Sequence, residues 1–193
     1  MELAEDRSFD PDDLLEPEGV LRHFFGYREF RPQQDKAIHA LMAGHDVVVL
    51  LPTGGGKSLC FQVPALTMRC QGYGPSVVIS PLIALMDDQV EALRGRGVEA
   101  EAVHSQKTDA ANRDALDRFR CGELDLIYVS PERAVLDGFQ NAAEAAQPAL
   151  LAIDEAHCIS QWGHDFRPEY TQIDRLRERL DVPTIALTAT ATP

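Results

Sequence analysis

Pro52-Thr53-Gly54-Gly55-Gly56-Lys57-Ser58 follows the apolar run Val47 to Leu51 and precedes a segment of helical period. Three glycines allow a tight turn whose successive backbone N–H groups aim inward at an anion. The positive end of the following helix adds to that attraction. Within such a loop of Thr53, Gly54, Gly55 and Gly56, Lys57 reaches the β- and γ-phosphates of a nucleotide and the Ser58 hydroxyl ligates Mg²⁺. The strict spacing G-x-x-x-x-G-K-S/T is not met, because Leu51 stands at its first glycine. A glycine-rich turn beside a chance Lys-Ser is the plainer alternative.

A second group lies about a hundred residues on, where Leu150-Leu151-Ala152-Ile153 runs into Asp154-Glu155-Ala156-His157. An aspartate leaving a strand beside a phosphate loop can hold Mg²⁺ through water. If the strand alternation continues, Glu155 points elsewhere and is placed to activate a water on the γ-phosphate. A capping or core histidine is the default reading of His157. Three more strand ends carry polar groups: Ser80-Pro81, Ser130-Pro131-Glu132-Arg133 and Thr188-Ala189-Thr190. Each Ser-Pro reads as an N-cap with proline at the first helical position. The exposed helix N–H groups there suit a phosphate, although capping alone explains them equally well. The threonines make a turn that could relay contacts or be a simple polar loop.

His157 to Tyr170 holds the only Trp of the chain, Trp162, with Gln161, Phe166, Arg167 and Tyr170. Exposed aromatics beside a cation suit stacking on unpaired bases; a buried aromatic cluster is the alternative.

The elements that must position these residues follow from apolar patterning. Strands are expected at Val47 to Leu51, Val77 to Ser80, Ala100 to His104, Leu126 to Ser130, Leu150 to Asp154 and Thr184 to Thr188. Several are nearly uninterrupted apolar runs, as in strands buried on both faces of a parallel sheet. Between them Pro32 to Ala43, Lys57 to Met68, Leu82 to Arg94, Asp109 to Phe119 and Tyr170 to Leu180 have helical period. Such alternation implies right-handed βαβ units and an open, mainly parallel, doubly wound α/β sheet with helices on both faces. Ligands of such sheets sit beyond the carboxyl ends of the strands, and every group above falls there.

At 193 residues the chain suits one domain after a short tail. Eight acids and one Arg in residues 1 to 18 supply −7 of the net charge of −13. Residues 1–16 therefore read as a flexible acidic tail and 17–193 as the domain. The charge argues against a generally basic, phosphate-coating protein, so any nucleic-acid site must be local. No apolar run approaches the ~20 residues of a membrane span, and the N-terminus is no signal peptide. Cys60, Cys70, Cys121 and Cys158 share no CxxC spacing, so no zinc site is expected and the thiols suit a reducing cytosol or nucleus.

The stretch after the acids closely resembles the aromatic-rich loop of RecQ-family DNA helicases. Pro52 to Ser58 is similar to their motif I, Ser80 to Gln89 to motif Ia, Ser130 to Arg133 to motif Ib, Asp154 to His157 to the DEAH box, and Thr188 to Thr190 to motif III. Phe25 to Gln34 is similar to motif 0, by which Tyr27 would stack on adenine, Gln34 would read its edge and Arg31 would support the nucleotide. The resemblance spans about residues 20 to 193. It implies the first RecA-like, P-loop NTPase lobe of an ATP- and Mg²⁺-dependent helicase that moves 3′ to 5′ on single-stranded DNA and separates duplexes.

By that resemblance Lys57, Asp154, Glu155 and His157 are catalytic, with Ser58 and Asp154 on Mg²⁺. Ser80, Pro81, Ser130, Arg133, Trp162, Phe166 and Arg167 would contact or sense DNA, single-stranded or partly duplex. Gln161, Thr188 and Thr190 would couple the two sites, together with His157. The second lobe and the zinc-binding and winged-helix regions of the family have no counterpart in the sequence. The expectation is thus a helicase lobe, in a bacterial cytoplasm at the nucleoid or in a eukaryotic nucleus, that binds ATP without unwinding. A catalytically incomplete regulatory module and a P-loop ATPase not acting on DNA are the alternatives.

Overall fold

The computed structural model describes residues 10–52, 54–159 and 169–189. A 3-10 turn, Pro11–Leu15, leads into helices α1 (Pro17–Phe25) and α2 (Pro32–Met42), strand β1 (Val47–Leu50) and helix α3 (Leu59–Cys70). Then come β2 (Ser76–Ile79), α4 (Ile83–Arg94), β3 (Ala100–Val103), α5 (Asp109–Arg120) and β4 (Leu126–Val129). The rest is α6 (Pro131–Ala134), α7 (Asp137–Ala146), β5 (Leu151–Ile153), a 3-10 turn (Ala156–Ile159), α8 (Glu169–Leu180) and β6 (Thr184–Thr188).

The six strands pair in the order β1-β6-β5-β2-β4-β3, and all five pairings are parallel. Alternation of side chains across the sheet divides the core in two. Val78, Tyr128, Ala152, Ile185 and Leu187 pack with α1 to α4 on one face. Val77, Ile79, Ile127, Val129, Leu151 and Ile153 pack with α5, α7 and α8 on the other. This is the doubly wound RecA-like α/β fold that the strand and helix pattern predicts. No described helix is long and apolar enough to cross a membrane.

Three features differ from expectation. Helix α7 was not predicted, because it faces the core with Phe139, Gln140, Ala142 and Ala143, a weak apolar stripe, and follows Leu136, which offers no capping side chain. Helix α1 is likewise short, and its Gly19 is dictated by the turn before it: a Cβ there would stand 1.7 Å from the Asp13 carbonyl oxygen. Order in the acidic segment therefore reaches back to Asp10, whose side chain accepts a bond from the Asp12 N–H, and Gln71 of α3 donates to the Leu15 carbonyl at 2.8 Å. Finally, β1 is an open edge: Val49 is buried, whereas Val48 and Leu50 are 72% and 60% exposed on the opposite face.

Candidate active site

The strand order decides which residues meet. β6 lies between β1 and β5, and β2 borders β5 on its other side. The phosphate loop after β1, Thr188 at the end of β6, the acids after β5 and Ser80 after β2 therefore gather on one sheet edge.

Gly54 and Gly56 take left-handed conformations, with φ of 77° and 76°. Gly56 is closely approached: a Cβ would stand 2.4 Å from the Gln34 amide nitrogen. That nitrogen donates to the Gly56 carbonyl at 3.0 Å, while Gln34 Oε1 accepts the Arg31 N–H at 2.9 Å. Gln34 is buried and joins the start of α2 to the phosphate loop. Both ends of its amide are thus used within the protein. Tyr27 is 41% exposed just past the left-handed Gly26 that ends α1. Among the described residues, no protein acceptor takes the backbone N–H groups of Gly56, Lys57 or Ser58. The Ser58 hydroxyl makes no capping bond to α3.

Lys57 Nζ lies 3.5 Å from Glu155 Oε1, both side chains being less than a fifth exposed. Asp154 is buried beside them; its Oδ2 accepts from Ser80 Oγ at 3.5 Å, and its Oδ1 accepts from the Glu155 N–H at 3.0 Å. Burial first, and then the Glu155 carboxylate, hold the Asp154 carboxyl above its usual range, against opposing pulls from the Glu155 N–H, Lys57 and Ser80. Glu155 has a φ of 51°, a left-handed conformation that costs a non-glycine residue about 1–2 kcal/mol. The strand has ended at Ile153, so pleat alternation does not direct Glu155 as the sequence suggested. A left-handed turn does, and it brings Glu155 to the lysine that Asp154 also feels.

His157 Nδ1 sits 3.0 Å from Thr188 Oγ1 and 3.1 Å from Glu155 Oε2. It is exposed, so the default of a core histidine does not hold. Of the two Ser-Pro ends, only Ser130-Pro131 takes the expected N-cap and first helical positions. Helix α4 starts at Ile83 with Leu82 before it, so Ser80 is free of capping and turns to Asp154 instead. Ser130 does precede α6, but its side chain makes no cap bond, and its buried Oγ has no partner among the described residues. Pro81 and Pro131 are buried, and Arg133 reaches 4.0 Å from Asp109 beside a cavity of about 390 Å³. Thr53, Gln161, Trp162, Phe166, Arg167 and Thr190 lie outside the described residues.

A lysine ammonium, two carboxylates, an uncommitted serine hydroxyl and unused loop N–H groups form a donor set that fits a polyphosphate with a divalent cation. Lys57 and the loop would hold the phosphates, Ser58 and Asp154 the cation. Among the described residues, one group of acids and a histidine is close enough for a metal: Glu18, Asp35 and His39, whose ligand atoms lie within 4.8 Å of one another. Residues that the sequence did not single out are the buried Gln62 and Tyr128, which form a polar knot with the half-buried Gln89. Their only signal was a polar side chain inside an apolar run.

The DEAD/DEAH box helicase family matches residues 31–193. An ATP-dependent DNA helicase RecQ of Haemophilus influenzae is 47% identical over 173 residues, 89% of this chain and 27% of the relative. One from Bacillus subtilis is 46% identical over 183 residues, 93% of this chain and 30% of that protein. The chain thus spans less than a third of the length of these curated relatives. A crystal structure of a hypothetical ATP-dependent RNA helicase from Sulfolobus tokodaii shares the fold, with a TM-score of 0.67 at 20% identity over 94% of this chain and 50% of that one. The chain belongs to the DEAD/DEAH box helicases and corresponds to the first RecA-like lobe of their RecQ family.

Proposed function

We propose that the chain is the ATP-binding lobe of a 3′–5′ DNA helicase, acting in DNA repair or recombination in the cytoplasm of a bacterium or the nucleus of a eukaryote. The observation that carries the reading is the meeting of Lys57 with Glu155 at 3.5 Å, beside the buried Asp154, where the phosphate loop faces the acidic pair. When bound, Mg-ATP supplies an activated phosphoanhydride. Lys57 and the loop N–H groups would bind its phosphates, Asp154 and Ser58 would hold the cation, and Glu155 would accept the proton of an attacking water. Lys57 must leave Glu155 to do so, which frees the carboxylate in the same movement. Tyr27 and Arg31 offer a surface for the base. Gln34 would have to exchange its bonds to Gly56 and Arg31 to read the base edge.

The DNA part of the proposal rests on the RecQ kinship and on position. Ser80 and Ser130 end adjacent strands on the same edge, Arg133 follows, and Trp162, Phe166 and Arg167 come directly after the acids in sequence. His157, bonded to both Glu155 and Thr188, is suited to carry a change between the two sites. The partners are single-stranded or partly duplex DNA and a second RecA-like lobe. The net charge of −13 favours one competing reading, a P-loop ATPase indifferent to DNA. Steady-state ATP hydrolysis with and without single-stranded DNA separates the two, with Lys57→Ala as the blank. Stimulation by DNA that disappears in Lys57→Ala supports the helicase lobe. Turnover that ignores DNA supports the alternative.

A further inference from the structure

Three polar side chains meet between α3, α4 and β4 and take no part in the candidate site: Gln62 and Tyr128 are buried and Gln89 is half-buried. Gln62 lies on α3, one turn past Ser58, whose carbonyl accepts the Gln62 N–H at 2.9 Å. Tyr128 lies on β4, 1% exposed, opposite Val78 in the register with β2. Gln89 lies on the second turn of α4. The Gln62 amide nitrogen donates to Tyr128 Oη at 2.9 Å and to Gln89 Oε1 at 3.3 Å, and Tyr128 Oη donates to the same Oε1 at 2.9 Å. The ring of bonds is closed: two amide hydrogens and one hydroxyl hydrogen meet one hydroxyl oxygen and one carbonyl oxygen that can accept twice.

Burying these groups confers no packing that apolar residues could not supply, so the knot contributes a fixed geometry rather than bulk. What it fixes is specific. Helix α3 leaves the phosphate loop, α4 follows the Ser80-Pro81 end, and β4 runs into the Ser130-Pro131 end. Among the described residues, Gln62 to Gln89 is the only side-chain hydrogen bond between α3 and α4. The two helices otherwise serve different neighbours, α3 packing on α1 and α2 and α4 on β3 and β4.

We infer that Gln62, Gln89 and Tyr128 are positioning residues that carry the state of the phosphate loop to α4 and the adjoining Ser80 and Ser130 ends. The inference rests on the proposed nucleotide site. A loop that closes on phosphates moves the first turn of α3, and a bond network without slack passes that shift to α4.

Amide hydrogen exchange of the 193-residue chain, with and without Mg²⁺ and a non-hydrolysable ATP analogue, tests it in the parent protein and in Tyr128→Phe. The expected result is slower exchange on nucleotide addition in residues 54–58 of both proteins. In α4 the parent should slow about 5-fold, a usual size for coupling between sites, and the variant, which keeps only the 3.3 Å Gln62–Gln89 bond, should show a clearly smaller nucleotide-dependent change. Reading the difference made by nucleotide removes any general loosening caused by the lost hydroxyl. Gln89→Met, which keeps the length of the side chain, replaces Tyr128→Phe if the latter does not fold and should behave alike. Protection of the loop without any response of α4 in the parent, or an equal response in the variants, overturns the inference. Absence of protection in residues 54–58 overturns the nucleotide site itself.

Discussion

Burial, and next to it the Glu155 carboxylate, hold the Asp154 carboxyl above its usual range. The native protein therefore binds that proton more tightly than the unfolded chain does. As pH rises from the ordinary aspartate value through the raised native one, the unfolded state ionises first and stability falls. Above the native value the cost is fully present, and below the unfolded value it is gone. Asp154→Asn removes the charge while keeping the shape and an acceptor for the Glu155 N–H. Its Tm should exceed the parent's at neutral pH by a few degrees, 1 kcal/mol being worth about 2–4 °C at this chain length. The gap should close as pH approaches the ordinary aspartate range. The same variant should lose Mg²⁺-dependent nucleotide binding, since a site poised for a cation is maintained against stability. Thermal melts across pH, repeated with Mg²⁺ and nucleotide, measure both effects; a destabilised variant at neutral pH would refute this account of Asp154.

At the scale of elements, the phosphate loop is held from outside by α2. The Gln34 amide occupies the space that a Gly56 side chain would need and bonds the Gly56 carbonyl. Gly56→Ala should therefore do two kinds of damage. The left-handed conformation costs about 1–2 kcal/mol for any other residue, and the methyl displaces Gln34 from both of its bonds. A Tm lowered by about 2–8 °C is expected, with nucleotide affinity reduced more than Gln34→Ala reduces it, as titration of a fluorescent ATP analogue would show. Equal affinity in Gly56→Ala and the parent would mean that the loop does not depend on this contact. The loop and all six strands were legible because glycine spacing and unbroken apolar runs are local signals. The direction of Glu155 was not, because it depends on where β5 stops. The Ser80-Pro81 end was misread as a helix cap for a related reason: a Ser-Pro pair marks where a helix can begin, whereas Asp154, which Ser80 turns to, arrives from a strand 74 residues away. Gln34 showed its residue type in the sequence but not that its amide serves the loop. Helix α7 escaped notice because alanine fills a core without marking a period.

At the scale of the whole molecule, the described residues form one sheet with helices on both faces. Its site opens along the carboxyl edge of the sheet, and its β1 edge leaves Val48 and Leu50 exposed. Relatives with 47% and 46% identity are more than three times as long. On the proposed reading, stepping along DNA needs a second lobe that closes on nucleotide and opens after its loss. In phosphoryl-transfer enzymes of this kind a cationic finger from a second body is worth about 10³–10⁵ in rate. The 193-residue chain should therefore bind Mg-ATP through its own loop, turn it over slowly and separate no duplex. A second RecA-like lobe from a RecQ relative, added in trans, should raise turnover in proportion to its occupancy. Lys57→Ala should abolish that gain, because the finger acts on phosphates that only this loop holds. Strand-displacement and hydrolysis assays on the chain alone, the mixture and the variant separate the outcomes. Vigorous unwinding by the chain alone would overturn the half-site reading. Nucleotide binding that stays without turnover at saturating second lobe would instead identify a regulatory module.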